Sequence, residues 1–473
     1  MRREKDFIGE VEVEEDAYYG AFTSRAKKNF SLSRIRVHDE MIRAIATIKR
    51  SAALANKELG RLEGDAADAI VKAADEVLSG KHGKQFVLDA FQAGAGTPVH
   101  MNVNEVLANR AEEILGGKKG EYKSVHPNNH VNMSQSSNNV IPTAVRLSCL
   151  FLLPGLLDEA KKLSASFRKL AKRNKDVLKC GRTHLMDAVP ISYGQVFSAW
   201  AHAIDKDISS IGRASMGLLE IGIGGTATGT GITAHPDFRK KVVKQIAAHT
   251  KLKLRVADDP IELTENMNDF MLFSAALRQY GVTLVRIAND LRLLSSGPKT
   301  GIAEIILPAV EPGSSIMPGK VNPSIPEAVN MLGYQVIAND HAVMLAAQSG
   351  QLELNFCTPL IAHNLLQSMD LLTNGSLMFR VECVDGLNVD EKRVKELFER
   401  SFAYGTALNP YLGYSLVSKL VTEAYGKGLP LKDLILEKKI LDKDELETIL
   451  SAENTTGPAH VDAKLAKKIK ERL

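Results

Sequence analysis

Apolar residues recur at alternating steps of four and three along one long segment of the chain. The segment from Glu265 to Ser296 contains no proline and a single glycine. Its repeating apolar positions are Phe273, Leu277, Tyr280, Leu284, Ile287, Leu291 and Leu294. This spacing puts a stripe of apolar side chains on one face of a helix, as in helices that pack side by side. The pattern predicts a long bundle helix.

Helical patterns recur elsewhere, whereas the strict alternation typical of strands is scarce. The other long predicted helices cover residues 144–175, 193–215, 326–347 and 359–384. We therefore predict an all-α protein of three domains: a mainly helical N-terminal domain (1–138), a central bundle of long helices (139–392) and a small helical C-terminal domain (393–473). Helices this long have more than one apolar face to cover, which suggests that the chain forms an oligomer.

Composition and charge narrow the functional classes. The 473-residue chain has 44% hydrophobic residues, 25% charged residues and a formal net charge of +4. No basic block is interleaved with aromatic residues, so no nucleic-acid partner is expected. No uninterrupted run reaches the ~18 apolar residues of a membrane span, so no membrane partner is expected either. The four cysteines lie far apart without a C-x-x-C pair. This argues against zinc or iron–sulfur ligation and suits a cytoplasmic protein.

The stretch GSSIMPGKVNP (313–323) surrounds one lysine with residues that favour loops. It is not a phosphate-binding P-loop, because the spacing of its glycines and the residue after Lys320 both differ from that motif. Similar clusters of small polar residues border the predicted helices at 94–97, 134–139, 181–184 and 224–231. If these clusters converge at one end of the bundle, their N–H and hydroxyl groups and the charge of Lys320 form an anion site. No set of metal ligands accompanies them, so we expect no metal and no cofactor.

GSSIMPGKVNP resembles the signature of the fumarase/aspartase superfamily. Segments similar to that family follow in the expected order along nearly the whole chain, among them DAYYGAFTSRAKKNF, GAGTPVHMNVNEVLANRA, HPNNHVNMSQSSNNVIPTA, GRTHLMDAVPISYGQ, GGTATGTG and GQLELN. The resemblance implies the three-domain all-α fold of the superfamily and a homotetramer whose active sites are shared between subunits. It also implies a lyase that forms fumarate from a small dicarboxylate by β-elimination.

The resemblance further implies roles for individual residues. Ser314 is expected to be the catalytic base on a mobile loop, and Glu327 is expected to orient a catalytic His184. The substrate-binding residues that the resemblance implies are Thr97, Ser136, Ser137, Asn138, Thr183, Lys320 and Asn322. Thr183 and His184 are expected to come from a second subunit. The segment with His126, Asn128 and Asn129 is similar to one that forms a second dicarboxylate site.

The motifs divide between two branches of the superfamily. DAYYG, NPSIPEAVNMLGYQVIAND and AAQSGQLELN are more similar to aspartate ammonia-lyases, which convert L-aspartate to fumarate and ammonia. Ser137 and the HPNN segment are instead similar to class II fumarases, which hydrate fumarate to L-malate, although Asn129 replaces an aspartate of the fumarase segment. His100 departs from both branches, whose pattern carries asparagine there. We favour an ammonia-lyase over a class II fumarase. Argininosuccinate or adenylosuccinate lyase activity and an inactive structural or binding homotetramer are weaker alternatives.

Overall fold

The structure is a computed structural model that describes residues 1–458 and 461–473. Within these residues the α-helices are α1 (Ala21–Asn29), α2 (Asp39–Glu58), α3 (Gly64–Leu78), α4 (Thr97–Ile114), α5 (Ser137–Arg173), α6 (Tyr193–Ala214), α7 (Phe238–Thr250), α8 (Glu262–Glu265), α9 (Asn268–Leu294), α10 (Ser324–Gln348), α11 (Thr358–Phe379), α12 (Glu391–Arg400), α13 (Gly405–Leu412), α14 (Tyr414–Lys427), α15 (Leu431–Glu437), α16 (Lys443–Ile449), α17 (Ala452–Thr455) and α18 (Ala463–Arg472). The strands are β1 (Arg2–Asp6), β2 (Gly9–Val13), β3 (Leu178–Thr183), β4 (Met186–Ser192), β5 (Glu220–Ile221), β6 (Arg255–Val256), β7 (Ile305–Ile306) and β8 (Asn388–Val389).

The predicted all-α fold with long central helices is confirmed. Each of the five long predicted helices is present, as α5, α6, α9, α10 and α11, and the described strands form only two-stranded sheets. The largest difference is at the start of α5, which begins at Ser137 instead of residue 144. Pro142 and Pro154 lie inside this helix instead of ending it. The polar segment that precedes the apolar run is therefore the first turn of the longest helix.

The apolar stripe predicted on α9 is buried. Its first six positions, from Phe273 to Leu291, are at most 1% exposed, and Leu294 is half-buried near the helix end. The same helix also carries exposed apolar side chains, including Leu272 at 59% and Val282 at 48%. One face of α9 therefore packs within the chain, and another faces outwards.

The residues group into two compact units. The first unit comprises Met1–Asp158, Asp207–Val282 and Leu332–Asn374, and the second comprises Glu159–Lys206, Thr283–Met331 and Gly375–Leu473. The predicted division into three domains, 1–138, 139–392 and 393–473, stays a prediction.

In the first unit, α2 packs against α3 and α7, and α4 packs against α1 and α3. The carboxylate of Glu105 on α4 holds the start of α1, because it accepts the N–H groups of Gly20, Phe22 and Thr23 at 2.8 to 3.1 Å. These N–H groups have no partner within their own helix, so a buried carboxylate satisfies them and favours the helix start. The buried carboxylate therefore fixes α1 against α4.

In the second unit, a cluster of apolar residues between Phe398 and Ile469 packs with Cys180 of β3. The short C-terminal helices α12 to α18 supply most of this cluster. Except in α17, their apolar spacing buries one face of each short helix, as expected for helices that have little stability alone. The strand β3 is therefore held by the core of the C-terminal helices.

Among the helices that the structure describes, α5 is long and apolar enough to cross a membrane by length and composition alone. This differs from the expectation based on uninterrupted apolar runs, because α5 reaches that hydropathy with polar residues interspersed. Of its most apolar window, 67% is buried inside the protein. The core helix of a bundle has the same composition, since all its faces are covered by protein.

Candidate active site

The first group of predicted site residues, Thr97, Ser136, Ser137 and Asn138, is called the hydroxyl cluster below, and all four belong to the first unit. Thr97 begins α4, directly after Gly96, whose φ of +79° is left-handed. A side chain on Gly96 would meet Ile141 at 2.9 Å, so a glycine is needed for this close approach of α4 to α5. The packing of two helices therefore sets the position of the Thr97 hydroxyl.

Two asparagines tie the start of α5 to the glycine-rich segment 224–231. The amide nitrogen of Asn138 donates to the carbonyl of Ala227 at 2.7 Å, and that of Asn139 donates to the carbonyl of Thr226 at 2.8 Å. Thr226 has a left-handed φ of +57°. The segment 224–231, whose function the sequence left open, thus supports the hydroxyl cluster through backbone carbonyls.

Ser137 contacts a chain of buried polar groups that the sequence analysis did not include in the site. Its Oγ lies 2.7 Å from Nδ1 of His100, and Nε2 of His100 lies 2.6 Å from Nζ of Lys49. His100 and Lys49 are 0% exposed. Burial lowers the pKa of His100 well below its usual value, and the charge of Lys49 lowers it further. His100 is therefore neutral. Burial also lowers the pKa of Lys49 well below its usual value.

Lys49 completes its contacts with two amide oxygens. Its Nζ donates to Oδ1 of Asn132 and to Oε1 of Gln135, each at 2.9 Å. In the sequence, Lys49 stands out only as a lysine in the middle of the apolar run of α2, where a charged side chain needs partners. Its partners are distant in sequence, so the run alone did not indicate what they were.

The predicted second dicarboxylate site shares a cavity with Thr97. His126 and Asn128 line this cavity of about 750 Å³, and Asn129 does not. The Nδ1 of His126 accepts the backbone N–H groups of Asn128 at 3.1 Å and Asn129 at 3.3 Å. Burial, and next His130, lower the pKa of His126. This favours a neutral imidazole, whose Nε2–H can donate to an anion. Residues predicted for two separate sites thus face one space in the first unit.

The second group of predicted site residues lies in the second unit and includes the segment 313–323, called the serine loop below. The Oγ of Ser314 accepts the backbone N–H groups of Ile316 at 3.2 Å and Met317 at 3.0 Å. Two N–H dipoles aimed at one oxygen stabilise negative charge on it. Ser314 and Lys320 both line an open depression of about 630 Å³ formed by residues 309–321.

The two ends of the serine loop are joined by hydrogen bonds. The N–H of Gly313 donates to the carbonyl of Lys320 at 2.7 Å, and the amide of Asn322 donates to the carbonyl of Gly313 at 2.7 Å. A side chain at Gly313 would meet the backbone N of Asn322 at 2.7 Å, so this crossing requires glycine. One N–H of the Asn322 amide remains for a ligand. Lys320 is exposed.

Thr183 and His184 lie at the tip of a two-stranded ribbon formed by β3 and β4, called the histidine hairpin below. His184 and Leu185 form its turn with left-handed φ values of +55° and +62°. Residues other than glycine adopt this conformation at a cost of about 1–3 kcal/mol each. The tip is exposed, with Leu185 at 73% and Met186 at 70%. Sequence reasoning missed this ribbon.

A buried carboxylate, Glu304, anchors the histidine hairpin. Arg182 of β3 donates to its Oε1 at 2.7 Å, and the Tyr193 hydroxyl donates to its Oε2 at 2.6 Å. Lys179 lies 3.7 Å from the same carboxylate. Burial, and next the charge of Glu304, raise the pKa of Tyr193 above its usual value, so Tyr193 remains a donor. Glu304 therefore holds the base of the ribbon that carries His184.

Glu327 lies in the first turn of α10 and is half-buried. Among the described residues of a single chain, no hydrogen bond joins Glu327 to His184.

Among the residues that the structure describes, no group of three or more His, Cys, Asp or Glu side chains has the arrangement of a metal site. The cysteines in this part of the chain are free, and Cys149, Cys180 and Cys383 are buried.

Comparison with known proteins shows where the chain belongs. Residues 9–338 match the protein-family model described as lyase, and residues 406–457 match that of the fumarase C C-terminus. The chain is 45% identical to the aspartate ammonia-lyase of Bacillus subtilis over 467 residues, which cover 99% of this chain and 98% of the relative. The chain belongs to this lyase family. The predicted membership of the fumarase/aspartase superfamily is thereby confirmed.

Other members of the lyase family are similarly close. The aspartate ammonia-lyase of Pseudomonas aeruginosa is 46% identical, with 97% of each chain covered. A crystal structure of a fumarate lyase (delta crystallin) from Brucella melitensis bound to cobalt has a TM-score of 0.94 and 42% identity, and it covers 97% of this chain and 100% of that one. The all-α fold of the family is therefore that of this chain.

Proposed function

We propose that this lyase catalyses the reversible deamination of L-aspartate to fumarate and ammonia. The observation that carries the proposal is the setting of Ser314, whose Oγ accepts two N–H groups of its own loop. A serine that acts as a base must carry negative charge, and preorganised N–H groups stabilise that charge. The sequence similarity to enzymes named aspartate ammonia-lyase supports the choice of substrate.

In the proposed reaction, the Ser314 alkoxide removes a proton from the carbon next to one substrate carboxylate. The electron pair of the broken C–H bond moves into that carboxylate and gives a doubly charged aci-carboxylate. The pair then forms the carbon–carbon double bond, while the C–N bond breaks and its electrons leave with ammonia. Lys320 and Asn322 bind the carboxylate on which charge develops. Each unit by which the serine pKa is lowered costs about 1.36 kcal/mol, so the N–H groups and the nearby lysine act together.

The remaining site residues bind and orient the substrate in this proposal. Thr97, Ser136, Ser137 and Asn138 contact it from the hydroxyl cluster. Thr183 and His184 reach the substrate from a second subunit. His184 is oriented by Glu327, either of that second subunit or of a third. The exposed apolar tip of the histidine hairpin supports this arrangement, because Leu185 and Met186 are suited to burial against a partner. His126, Asn128 and Asn129 are proposed to form a second dicarboxylate site.

We further propose a homotetramer located in the cytoplasm, in which α10 contributes to contacts between subunits. Its exposed apolar residues are spaced along the helix: Met331 (65%), Tyr334 (54%), Ile337 (36%), Met344 (39%) and Leu345 (43%). Exposed apolar side chains in this number are unfavourable in water and support burial against a second copy. The free cysteines suit a reducing compartment.

The assembly proposal predicts that a charge on α10 separates the subunits. Tyr334→Glu is expected to convert the tetramer to smaller species, because a carboxylate buried in an interface without a partner is strongly unfavourable. Light scattering coupled to size-exclusion chromatography measures the mass directly. Lys299→Glu, at an exposed polar position, serves as the control. A wild-type protein of monomeric mass would contradict the proposal.

The proposed reaction is tested by fumarate absorbance with L-aspartate and L-malate side by side. Turnover of L-aspartate alone is expected. Turnover of L-malate alone would instead identify a class II fumarase, the alternative that Ser137 and the segment at His126 favour. Binding of fumarate without turnover of either substrate would identify an inactive binding protein.

A further inference from the structure

The buried chain Lys49–His100–Ser137 joins three helices of the first unit. It links the middle of α2, the first turn of α4 and the first residue of α5 through side chains alone. Lys49 and His100 are fully buried, whereas Ser137 is half-buried and reaches solvent. A lysine charge within the core is therefore connected to one accessible hydroxyl of the predicted site. A buried charge is unfavourable unless it is paired.

The amide groups around Lys49 determine the direction of its hydrogen bonds. The amide nitrogen of Gln135 donates to the carbonyls of Val131 and Met133, and that of Asn132 donates to the carbonyl of Gln135. Both amide oxygens therefore face Lys49, and its Nζ donates to them. When Lys49 is charged, its ammonium group has three N–H donors, and the third points to His100 Nε2. A neutral amine would instead direct its lone pair at an Nε2–H.

With Lys49 charged, this direction determines which imidazole nitrogen carries the proton. If Nε2 of a neutral His100 accepts from Lys49, the imidazole proton is on Nδ1. Nδ1–H then donates to Ser137 Oγ, which lies 2.7 Å away. Because the Ser137 oxygen accepts this hydrogen bond, its own O–H is free to turn towards the pocket and donate.

We propose that His100 is a positioning residue that makes the Ser137 hydroxyl a donor to a substrate carboxylate, with its tautomer set by the charge of Lys49. The proposal rests on the proposed function, because the carboxylate is that of the dicarboxylate substrate. It also accounts for the departure of His100 from the asparagine of the family pattern. An imidazole has two nitrogens on opposite sides of one ring, so it contacts Lys49 and Ser137 at once. A single asparagine amide is shorter and does not reach both.

The orientation of the serine has a consequence for recognition. With the opposite tautomer, Ser137 would donate to His100 and present only lone pairs to the pocket, which would repel a carboxylate. The positive charge of Lys49 also acts through the chain, because each donor is polarised by the one behind it. The dianionic substrate favours the charged form of Lys49 in turn, which opposes the effect of burial on its pKa.

The test uses two matched substitutions in the full-length enzyme. The amide of asparagine lies near the Nδ1 position of histidine, and that of glutamine lies near Nε2. His100→Asn therefore retains a donor to Ser137, and His100→Gln retains only the contact with Lys49. We expect His100→Gln to raise the KM for L-aspartate and the Kd for succinate about tenfold with kcat within about twofold, because a hydrogen bond to a charged group is lost. His100→Asn is expected to change both constants by less than about threefold.

A double substitution separates positioning from general damage. In a Ser137→Ala background, His100→Gln is expected to have no further effect on the Kd for succinate, because the group that it positions is absent. Equal effects in both backgrounds would overturn the proposal. So would a His100→Gln enzyme with wild-type KM and Kd. Succinate binding does not require turnover, so the proposal can fail while aspartate deamination stands. If L-aspartate is not turned over, the proposed function fails first.

Neutron diffraction of the unsubstituted protein tests the same proposal if His100→Gln does not fold. Deuterium on Nδ1 of His100, and none on Nε2, is expected. Deuterium on Nε2 would overturn the proposal, because Ser137 would then be the donor to the imidazole.

Discussion

The hydroxyl cluster and the serine loop carry different parts of the proposed chemistry, and they are built in opposite ways. Residues of the cluster begin long helices, and buried side chains such as His100 and Asn139 hold them from behind. The serine loop has neither helix nor strand between Gly313 and Pro323. Among the described residues its hydrogen bonds are formed within the loop, except at its end, where the carbonyl of Pro323 accepts the N–H of Glu327. Most of its side chains, including Lys320, are exposed.

This difference separates the groups that bind the substrate from the base that reacts with it. Groups that bind the substrate before and after reaction gain from a rigid position, since no ordering is needed when the ligand arrives. A base that must be shielded from water during proton transfer gains from a loop that closes over the substrate. Substitutions in the loop should therefore change activity without changing stability, and substitutions behind the cluster should change stability.

The largest effect is expected from Ser314→Ala. Loss of the base should lower kcat about a thousandfold, while the melting temperature stays within about 1 °C because the side chain contacts only its own loop. Fumarate absorbance and calorimetry measure the two quantities. Ser315→Ala, at the next position of the same loop, is the matched control and should keep most of the activity. A Ser314→Ala enzyme that retained most of its kcat would exclude Ser314 as the base.

A smaller effect is expected from Lys320→Ala. The substrate carboxylate would lose a charge-assisted hydrogen bond, so the KM for L-aspartate should rise about 10- to 100-fold. Initial rates over a range of substrate concentrations measure this change. Lys299→Ala removes another exposed lysine and should leave KM unaltered. An unchanged KM in Lys320→Ala would contradict the carboxylate-binding role.

For residues that support the hydroxyl cluster, we expect a change in stability instead of a change in activity. Asn139 is 2% exposed, and Asn139→Ala removes the hydrogen bond that its amide donates to Thr226. Leaving that carbonyl without a partner should lower the free energy of unfolding by about 1–2 kcal/mol. Urea unfolding followed by circular dichroism detects the shift. Asn268→Ala, at an exposed position at the start of α9, is the control. Equal stability of the two variants would remove the contrast between cluster and loop.

The smallest effect is expected from an ion pair on α4, the helix that begins with Thr97. The hydrogen bond from Arg110 lowers the pKa of Glu76 from its usual 4.5 to about 2. Because the folded protein depresses this pKa, the stabilisation is complete above pH 4.5 and is lost as the pH falls towards 2. Arg110→Met should therefore destabilise the protein by about 1 kcal/mol at pH 7, and the difference from wild type should shrink at pH 3. Urea midpoints at both pH values test this, and a constant difference would exclude the ion pair as its cause.

The sequence predicted the parts of the molecule in which a regular spacing or a contiguous motif carries the information. The stripe from Phe273 to Leu291 identified the buried face of α9 because helical packing requires that period. The serine loop was recognised because the residues around Ser314 are adjacent in the chain. The start of α5 was missed, because its first turn is polar and carries no apolar periodicity.

Features that depend on contacts between distant segments were not predictable in the same way. Glu304 lies in a segment with no motif, and its partners Arg182 and Tyr193 are more than a hundred residues away along the chain. The histidine hairpin is a single short ribbon, so its alternation covers too few residues to stand out. Lys49 was visible only as a charge in an apolar run, and its connection to His100 appears when α2 and α4 are folded together.

The exposure of the serine loop also makes it a target for proteases. Trypsin cuts after lysine in extended, accessible segments, and the bond between Lys320 and Val321 lies in one. A cut there separates Ser314 from Asn322 in the chain while leaving every long helix intact. A loop that can close over a substrate can also enter the cleft of a protease. Saturating dicarboxylate should therefore slow the cut. The rate of cleavage should then report loop closure without any measurement of turnover.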